Sequence, residues 1–322
     1  MDKSKNFQNA ENGKSALVLG ITGGFGRYVA LALKNEGWAV TGITRSKAKL
    51  DSELMQFNIV EGDATDIEFL SKIANGQDVL VYGLNPEYHL WSKYCKQWLN
   101  TSLEVALKHQ LKLVFPANVY NYDPERSHNI SEDTAFSPVS SKGQLRVEME
   151  NQIKDFCLAG GNTLLIRAGD FIAQRAPSAW FNFLVEMKAD KTILQLPSDD
   201  SITHSWAYLP DLANVVTKLL EREKTQGLET YHYAGLNITF REIEQSLQKV
   251  RGLPVKTKRF PWWALAIIGL FSYQMRAVRE MRYLWQKPLA LDDTKLQNAL
   301  EGTVLQRSLD EVIADLELKR QA

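Results

Sequence analysis

The sequence predicts an α/β protein built on a doubly wound parallel sheet, and three observations carry that prediction. Short apolar runs alternate with longer stretches at helical spacing from Ser15 to about Arg167. The runs lack the apolar–polar alternation of a half-exposed strand, as expected where helices cover both faces. The first run also ends on a glycine-rich loop, "GITGGFG", that leads into an apolar helical stretch. Strand, turn and helix in that order open such a sheet.

Taken in order, the strands are expected at "ALVLGI", "WAVTGIT", "FNIV", "DVLVYG", "LKLVFP" and "TLLIRAG". Helices are expected around 25–36, 65–75, 88–109 and 141–159, with a shorter one near 47–54. Thr65 and Asp66 stand where a cap belongs, and Gly37, Gly76 and Gly160 where chains leave helices. After Arg167 loops lengthen and aromatic residues cluster, with helices expected at 176–189, 210–224, 239–250, 262–285 (broken), 292–300 and 308–318. The expected organisation is a flexible tail over 1–14, the sheet domain over 15–169, and a smaller, mainly helical substrate region over 170–322. That last region is partly interleaved with the sheet and stands at the C-terminal ends of its strands, where ligands of open α/β sheets lie.

Composition narrows the partners. A chain of 322 residues, 44% hydrophobic, can bury a substantial core, and 38 Lys plus Arg balance 38 Asp plus Glu. No bulk charge therefore draws it to nucleic acid, and a small neutral or anionic metabolite fits better. Cys95 and Cys157 stand far apart without CxxC spacing. This argues for a reducing, cytoplasmic setting and against disulfides or a thiolate metal site. No His pair has metal-ligand spacing beside a carboxylate, so no metal is expected. The stretch "FPWWALAIIGLF", as ~12 helical residues, reaches about 18 Å against a hydrocarbon core of roughly 30 Å, so no membrane span is expected. A homodimer is left open.

The glycine loop has the chemistry of a phosphate cradle. Gly20 lets the chain turn, Gly23 lets backbone approach a pyrophosphate, and Gly26 lets the helix pack on the strand. Thr22, Gly24 and Phe25 complete the loop, and its amides with the positive helix end would face two phosphate charges. The alternative is a tight turn with no ligand.

The GxxGxxG spacing, with "GD" at Gly62 and Asp63 after the third strand, resembles the short-chain dehydrogenase/reductase superfamily in its extended and atypical branches. The fold it implies is of Rossmann type. More closely the chain resembles bacterial NAD-dependent epimerase/dehydratase or NmrA-like NAD(P)H-binding proteins. The resemblance runs through "GITGGFGR", "GDATD", "VYGLNP", "FPANVYNY", "SPVSSKGQLRVEME", "LLIRAGDF", "HSWAYLPDLA" and "FPWW...REMRYLW". It implies that Asp63, with Ala64 beside it, meets the adenine amine, the alternative being a capping aspartate near Thr65. Gly83 and Asn85 would pass close to the ribose and nicotinamide side, as would Ala117. At the end of the second strand stand Arg45 and Ser46 with no acid, and Arg45 can pair with a 2′-phosphate, so NADP is favoured over NAD.

Catalysis departs from the superfamily's pattern. Lys142 occupies the lysine position of YxxxK, Pro138 stands where the tyrosine belongs, and Pro116 or Ala117 where the serine does. The literal YxxxK, Tyr283 to Lys287, is read as coincidence. Asn118, Tyr120 and Tyr122, leaving strand five, are the stand-ins, with a tyrosine from 120 or 122 and Lys142 assisting proton transfer; the alternatives are that Tyr120 packs under the loop and that Lys142 only bridges the ribose hydroxyls. Tyr122, Asp170, His204 and Trp206 are the candidate substrate residues, and Arg175 could also meet a polar substrate; the alternatives are that Asp170 pairs with Arg167 and that His204, beside a tryptophan, only packs or bonds to backbone. The Trp-rich stretch roofs the pocket or packs in the helical subdomain, with interfacial membrane docking as the lesser alternative. Arg276, Arg279 and Arg282 form a solvated face or an anion site. Two functions follow. One is an NADP-dependent oxidoreductase of atypical short-chain type acting on a carbonyl, alcohol or activated double bond of a small hydrophobic metabolite. The other is a non-catalytic NADP(H) sensor of NmrA-like kind, or an epimerase/dehydratase of a sugar-like substrate.

Overall fold

Ala16 to Leu19 have no solvent-exposed surface, and Leu113 to Phe115 match them. In the first of these strands successive side chains enter two different cores, Leu17 and Leu19 on one face of the sheet, Ala16 and Val18 on the other. The continuous apolar runs are thus strands covered on both sides. The computed structural model describes residues 13–126, 129–222 and 226–321. Residues 1–12 of the expected tail, and residues 223 and 224 of the helix expected at 210–224, lie outside them.

In chain order the first strands are β1 Ser15–Leu19, β2 Ala39–Thr44, β3 Asn58–Glu61, β4 Val79–Tyr82, β5 Lys112–Ala117, β6 Asn129–Ile130, β7 Asn162–Ala168 and β8 Asp170–Ile172. They are followed by β9 Val185–Met187, β10 Thr192–Leu196, β11 His204–Tyr208, β12 Leu228–Tyr233, β13 Leu236–Ile238, β14 Val255–Arg259 and β15 Ala290–Leu291. The helices are α1 Gly24–Asn35, α2 Ile67–Ala74, α3 Trp91–His109, α4 Ser141–Leu158, α5 Trp180–Leu184 and α6 Leu209–Glu221. Then come α7 Phe240–Arg251, α8 Trp262–Ile268, α9 Tyr273–Glu280, α10 Thr294–Ala299 and α11 Leu309–Gln321.

The main sheet has seven strands in the order β12-β7-β5-β4-β1-β2-β3, and every adjacent pair is parallel. Helices α1 and α6 pack on one face, and α2, α3 and α4 on the other. Capping agrees with local chemistry. Asp66 accepts from the amides of Glu68 and Phe69 to start α2, Ser140 Oγ accepts from Gly143 to start α4, and Thr239 with Glu242 forms a capping box on α7.

Two expectations are corrected. The helix expected over 176–189 shrinks to α5, because Val185 and Met187 pair instead with Leu194 and Thr192 across a hairpin. The helix near 47–54 is a single 3₁₀ turn, Lys47–Lys49. The region after 169 also returns to the sheet, since β12 supplies its edge strand beside β7. Two smaller sheets, β13-β11-β8 and β14-β10-β9, follow, the first entered through β8 directly after the C-terminal end of β7.

Candidate functional site

The order of the sheet reverses between β1 and β4, and the glycine loop sits there. Gly20 has φ +69°, and a Cβ on it would lie 2.5 Å from the carbonyl oxygen of Gly83, at the end of β4. A Cβ on Gly26 would lie 2.6 Å from Gly20 O. The two positions accept only glycine because strand, helix and neighbouring strand converge on them. Gly23 caps α1 without a side chain, its own amide donating to Gly20 O at 2.9 Å. The amides of Gly24, Phe25 and Gly26 make no hydrogen bond among the described residues. Three donors at the positive end of a helix, reached over a bare backbone, fit the diphosphate of a dinucleotide. Thr22 is exposed beside them, and Phe25 is buried and stacked on Phe171.

At the far side of this loop Asp63 is exposed, its Oδ1 accepting from the amide and hydroxyl of Thr65 at 2.9 and 2.8 Å. The helix cap falls to Asp66, and Ala64 is buried. Arg45 is exposed at the end of β2, with no ion pair among the described residues, and the Ser46 amide turns back to Thr44 Oγ1. The sequence held an unseen arrangement here. Arg27, 5% exposed, donates to both oxygens of Asp51 and to Glu53, and Arg175 also pairs with Asp51. Arg27 holds the Asp51 carboxyl below the usual carboxylate range. Arg175 is therefore engaged on the cofactor side.

Above the ends of β4 and β5 lies a phenol pair. Tyr88 and Tyr120 share a hydrogen bond of 2.7 Å, and Trp180 Nε1–H donates to the Tyr88 oxygen at 3.2 Å. Tyr120 is buried and stacked on Trp91. Its amide is fixed by Asn118 Oδ1 at 3.1 Å, so Asn118 shapes the loop. Ala117 is buried and carries no donor. Asn85 is exposed on the loop that Trp91 anchors by donating to Pro86 O. Burial, with Asp170 nearby, pushes the Tyr88 phenol up to about 12, and burial raises Tyr120 well above its ordinary value. Both phenols stay protonated at neutral pH.

Lys142 is buried in the first turn of α4, with its ammonium 5.6 Å from the centre of the Tyr88 ring. It is ion-paired with Glu280 of α9, which also accepts from the amide and hydroxyl of Ser141. Although burial opposes ionisation, the bonds from Lys142 and Ser141 hold the Glu280 carboxyl below its ordinary value. Tyr283 reaches Ser140 Oγ at 3.2 Å. The pairing of these residues with α4 was missed because Glu280 and Tyr283 are distant in sequence; the only signal was the YxxxK at Tyr283, set aside as chance.

Two substrate candidates stand in the core. Tyr122, 1% exposed, packs edge-on against Phe136 within the core, and Trp206 is completely buried among aromatic rings. Asp170 does not pair with Arg167; its Oδ2 meets His204 Nε2 at 2.7 Å, and His204 stacks on Trp285. Asp170 thus joins the phenol pair's surroundings, with His204 behind it.

Arg167 is instead the centre of a buried network. It donates to both carboxylate oxygens of Glu150, to Asn118 O at 2.5 Å, and through Nε to His232 Nε2 at 3.2 Å. An arginine only donates, so His232 carries its proton on Nδ1 and gives it to Ile130 O. Burial and the Arg167 charge push the His232 pKa down to about 4, against about 6.5 unfolded. The neutral ring's contribution to stability is full above about pH 6.5 and is lost as pH falls towards 4. Denaturant titrations at pH 7.5 and 4.5 are expected to show His232→Asn losing less stability on acidification than wild type, by on the order of 3 kcal/mol. An equal loss in both would reject the assignment.

Among the described residues no cluster of His, Cys, Asp or Glu could hold a metal ion, and no helix is long and apolar enough to cross a membrane. Residues 20–140 match a family model described as NAD(P)H-binding. The fold superposes on UDP-glucose 4-epimerase from Bifidobacterium longum in complex with NAD+ and UDP, with TM-score 0.71, 16% identity, and 94% of this chain on 97% of that one. It superposes likewise on L-threonine dehydrogenase from Clostridium difficile, with TM-score 0.74, 17% identity, and 96% on 98%. A putative epimerase from Burkholderia cenocepacia J2315 gives TM-score 0.75, 16% identity, and 96% on 99%. By sequence, none of the curated proteins matches the chain.

Proposed function

We propose that this chain, which carries an NAD(P)H-binding domain on the fold of the extended short-chain dehydrogenase/reductase superfamily, is an NADP-dependent oxidoreductase. Its substrate would be a carbonyl, alcohol or activated double bond of a small hydrophobic metabolite. The single observation that supports it best is the hydrogen-bonded run of Trp180, Tyr88 and Tyr120 at the C-terminal ends of β4 and β5. Trp180 can only donate. With Tyr88 donating onward in turn, the Tyr120 hydroxyl hydrogen is left to hydrogen-bond a substrate oxygen. A phenol kept protonated by burial suits proton delivery to a carbonyl rather than abstraction from an alcohol.

The residues that would hold the dinucleotide are the amides of Gly24, Phe25 and Gly26, the bare backbone at Gly23, Asp63, and Lys142 at the ribose. When bound, NADP(H) supplies or accepts the hydride. Lys142 reaches that role only by exchanging Glu280 for ribose hydroxyls. Arg45, exposed and with no ion pair among the described residues, supports a 2′-phosphate partner better than Arg27, which Asp51 and Glu53 already match.

Purified protein is expected to oxidise NADPH with at least one member of a carbonyl panel. Tyr120→Phe should lower kcat by roughly a hundredfold or more, the usual worth of a positioned acid, with dinucleotide affinity unchanged. Titration by fluorescence is expected to show Arg45→Ala weakening NADPH about tenfold or more while sparing NADH; an unchanged ratio of affinities would remove the 2′-phosphate assignment. One observation favours the second reading, a dinucleotide sensor. Glu280 neutralises Lys142, and the neighbouring phenols are raised rather than lowered. Tight NADPH binding with no turnover across the panel would select it.

A further inference from the structure

The balance of charge over the whole chain hides a local excess. Residues 255–282 contain Lys256, Lys258, Arg259, Arg276, Arg279 and Arg282 against one acid, Glu280, and Glu280 is spent on Lys142 and Ser141. Lys256, Lys258, Arg276, Arg279 and Arg282 are exposed, with no carboxylate partner among the described residues.

Between these cations the hairpin of α8 and α9 exposes what a protein in water normally covers. Trp263 is 72% exposed, Leu270 70%, Phe271 89% and Tyr273 75%, and Ile267 and Ile268 are at least half exposed. Trp263 and Ile267 are one helical turn apart and so share a face. Leu270 and Phe271 continue it through the turn, where their amides bond back to Ile267 and Ile268. The opposite side of the hairpin is occupied, with Trp262 and Leu265 in the core and Trp262 Nε1–H donating to Pro197 O. Arg276 lies at the tip itself, its Nε–H on Gly269 O and its guanidinium 5.2 Å from the centre of the Tyr273 ring. The hairpin thus has an anchored inner side and an apolar outer tip of tryptophan, tyrosine, phenylalanine and aliphatic groups, with Arg276 at the tip and exposed lysines and arginines on the segments that lead into and out of it.

We propose that this tip is a docking surface for an anionic lipid bilayer, the apolar side chains entering the acyl boundary and the cations meeting lipid phosphates. An apolar tip carrying an arginine, with exposed cations on the segments that flank it, is the signature of an interfacial segment that lies on a membrane without crossing it. A second copy of the chain fits worse. Pairing the same face with itself would set these unpaired cations against one another.

The test uses the full chain with vesicles of phosphatidylcholine alone and of phosphatidylcholine with phosphatidylglycerol at three to one. Sedimentation is expected to carry the protein down with the anionic vesicles, weakening as salt is raised. Trp263→Ser with Phe271→Ser should lower that partitioning roughly tenfold or more, since each side chain would leave the acyl boundary. Arg276→Glu with Arg279→Glu should lower it on anionic vesicles while circular dichroism shows the protein still folded. No sedimentation of the folded protein with anionic vesicles overturns the proposal, and so does equal partitioning of the serine variant. Should equilibrium ultracentrifugation find wild type dimeric and the serine variant monomeric, with neither bound to vesicles, the tip belongs to a second copy and the lipid assignment fails.

Discussion

Gly23→Val should leave the protein folded and weaken dinucleotide binding by a hundredfold or more, on the order of the loss of two charge-assisted hydrogen bonds to phosphate. Gly23 has φ −85°, a conformation open to any residue, and a Cβ there meets only Gly20 O at 3.2 Å and Gly83 O at 3.8 Å. The branched side chain would cost the cap about 1 kcal/mol while standing where a diphosphate must approach the amides of Gly24 to Gly26. Gly20→Ala is the contrasting control. Its φ of +69° strains any side chain, and its Cβ would press on the Gly83 carbonyl at 2.5 Å, together costing about 4 kcal/mol of stability. Calorimetry with NADPH and denaturant unfolding separate the two outcomes. If Gly23→Val bound NADPH as wild type does, the loop would not be a phosphate cradle.

Arg167→Ala carries the largest expected loss of stability, about 3–5 kcal/mol, because it leaves the Glu150 carboxylate buried without its partner. The side chains of the pair are 1% and 5% exposed, so solvent screens neither. Arg167→Met with Glu150→Leu should recover most of that loss, since apolar residues of similar volume replace a charge pair at little net cost. Urea unfolding of the three variants reads this directly, and a double variant no better than the single would show that the network is worth more than its charges. The network also anchors the loop after β5, through Asn118 O and through Asn121 Nδ2 on Glu150 at 2.8 Å. Faster amide exchange at Val119 and Tyr120 should therefore accompany Arg167→Ala.

The sheet was legible because its strands are buried on both faces, and a continuous apolar run such as "ALVL" or "LVF" records that directly. The glycine loop was legible for a related reason: only glycine satisfies a positive φ and a carbonyl 2.5 Å away. What escaped was pairing across distance. Glu280 on Lys142, Tyr88 on Tyr120, and Asp51 with Glu53 on Arg27 join segments that nothing local connects, and their residue types are those of any solvated surface. Tyr122 and Trp206 misled for the opposite reason, since an aromatic near a site motif reads alike whether it lines a cleft or fills a core. The last turn of the helix expected at 176–189 is strand and hairpin because the apolar spacing of Val185 and Met187 fits both periods, and pairing with Thr192 and Leu194 across Lys188 and Lys191 decides between them.

The return of β12 to the sheet bears on how the protein is made. A ribosome that has released residues up to β7 has delivered the whole glycine loop and six of the seven strands. The outer rim of β7 then presents bare amides and carbonyls to any passing chain until Leu228–Tyr233 arrives. Completion of the nucleotide-binding half thus waits on translation of the second half, and a shortened gene ending near residue 169 should yield inclusion bodies rather than a working cofactor module.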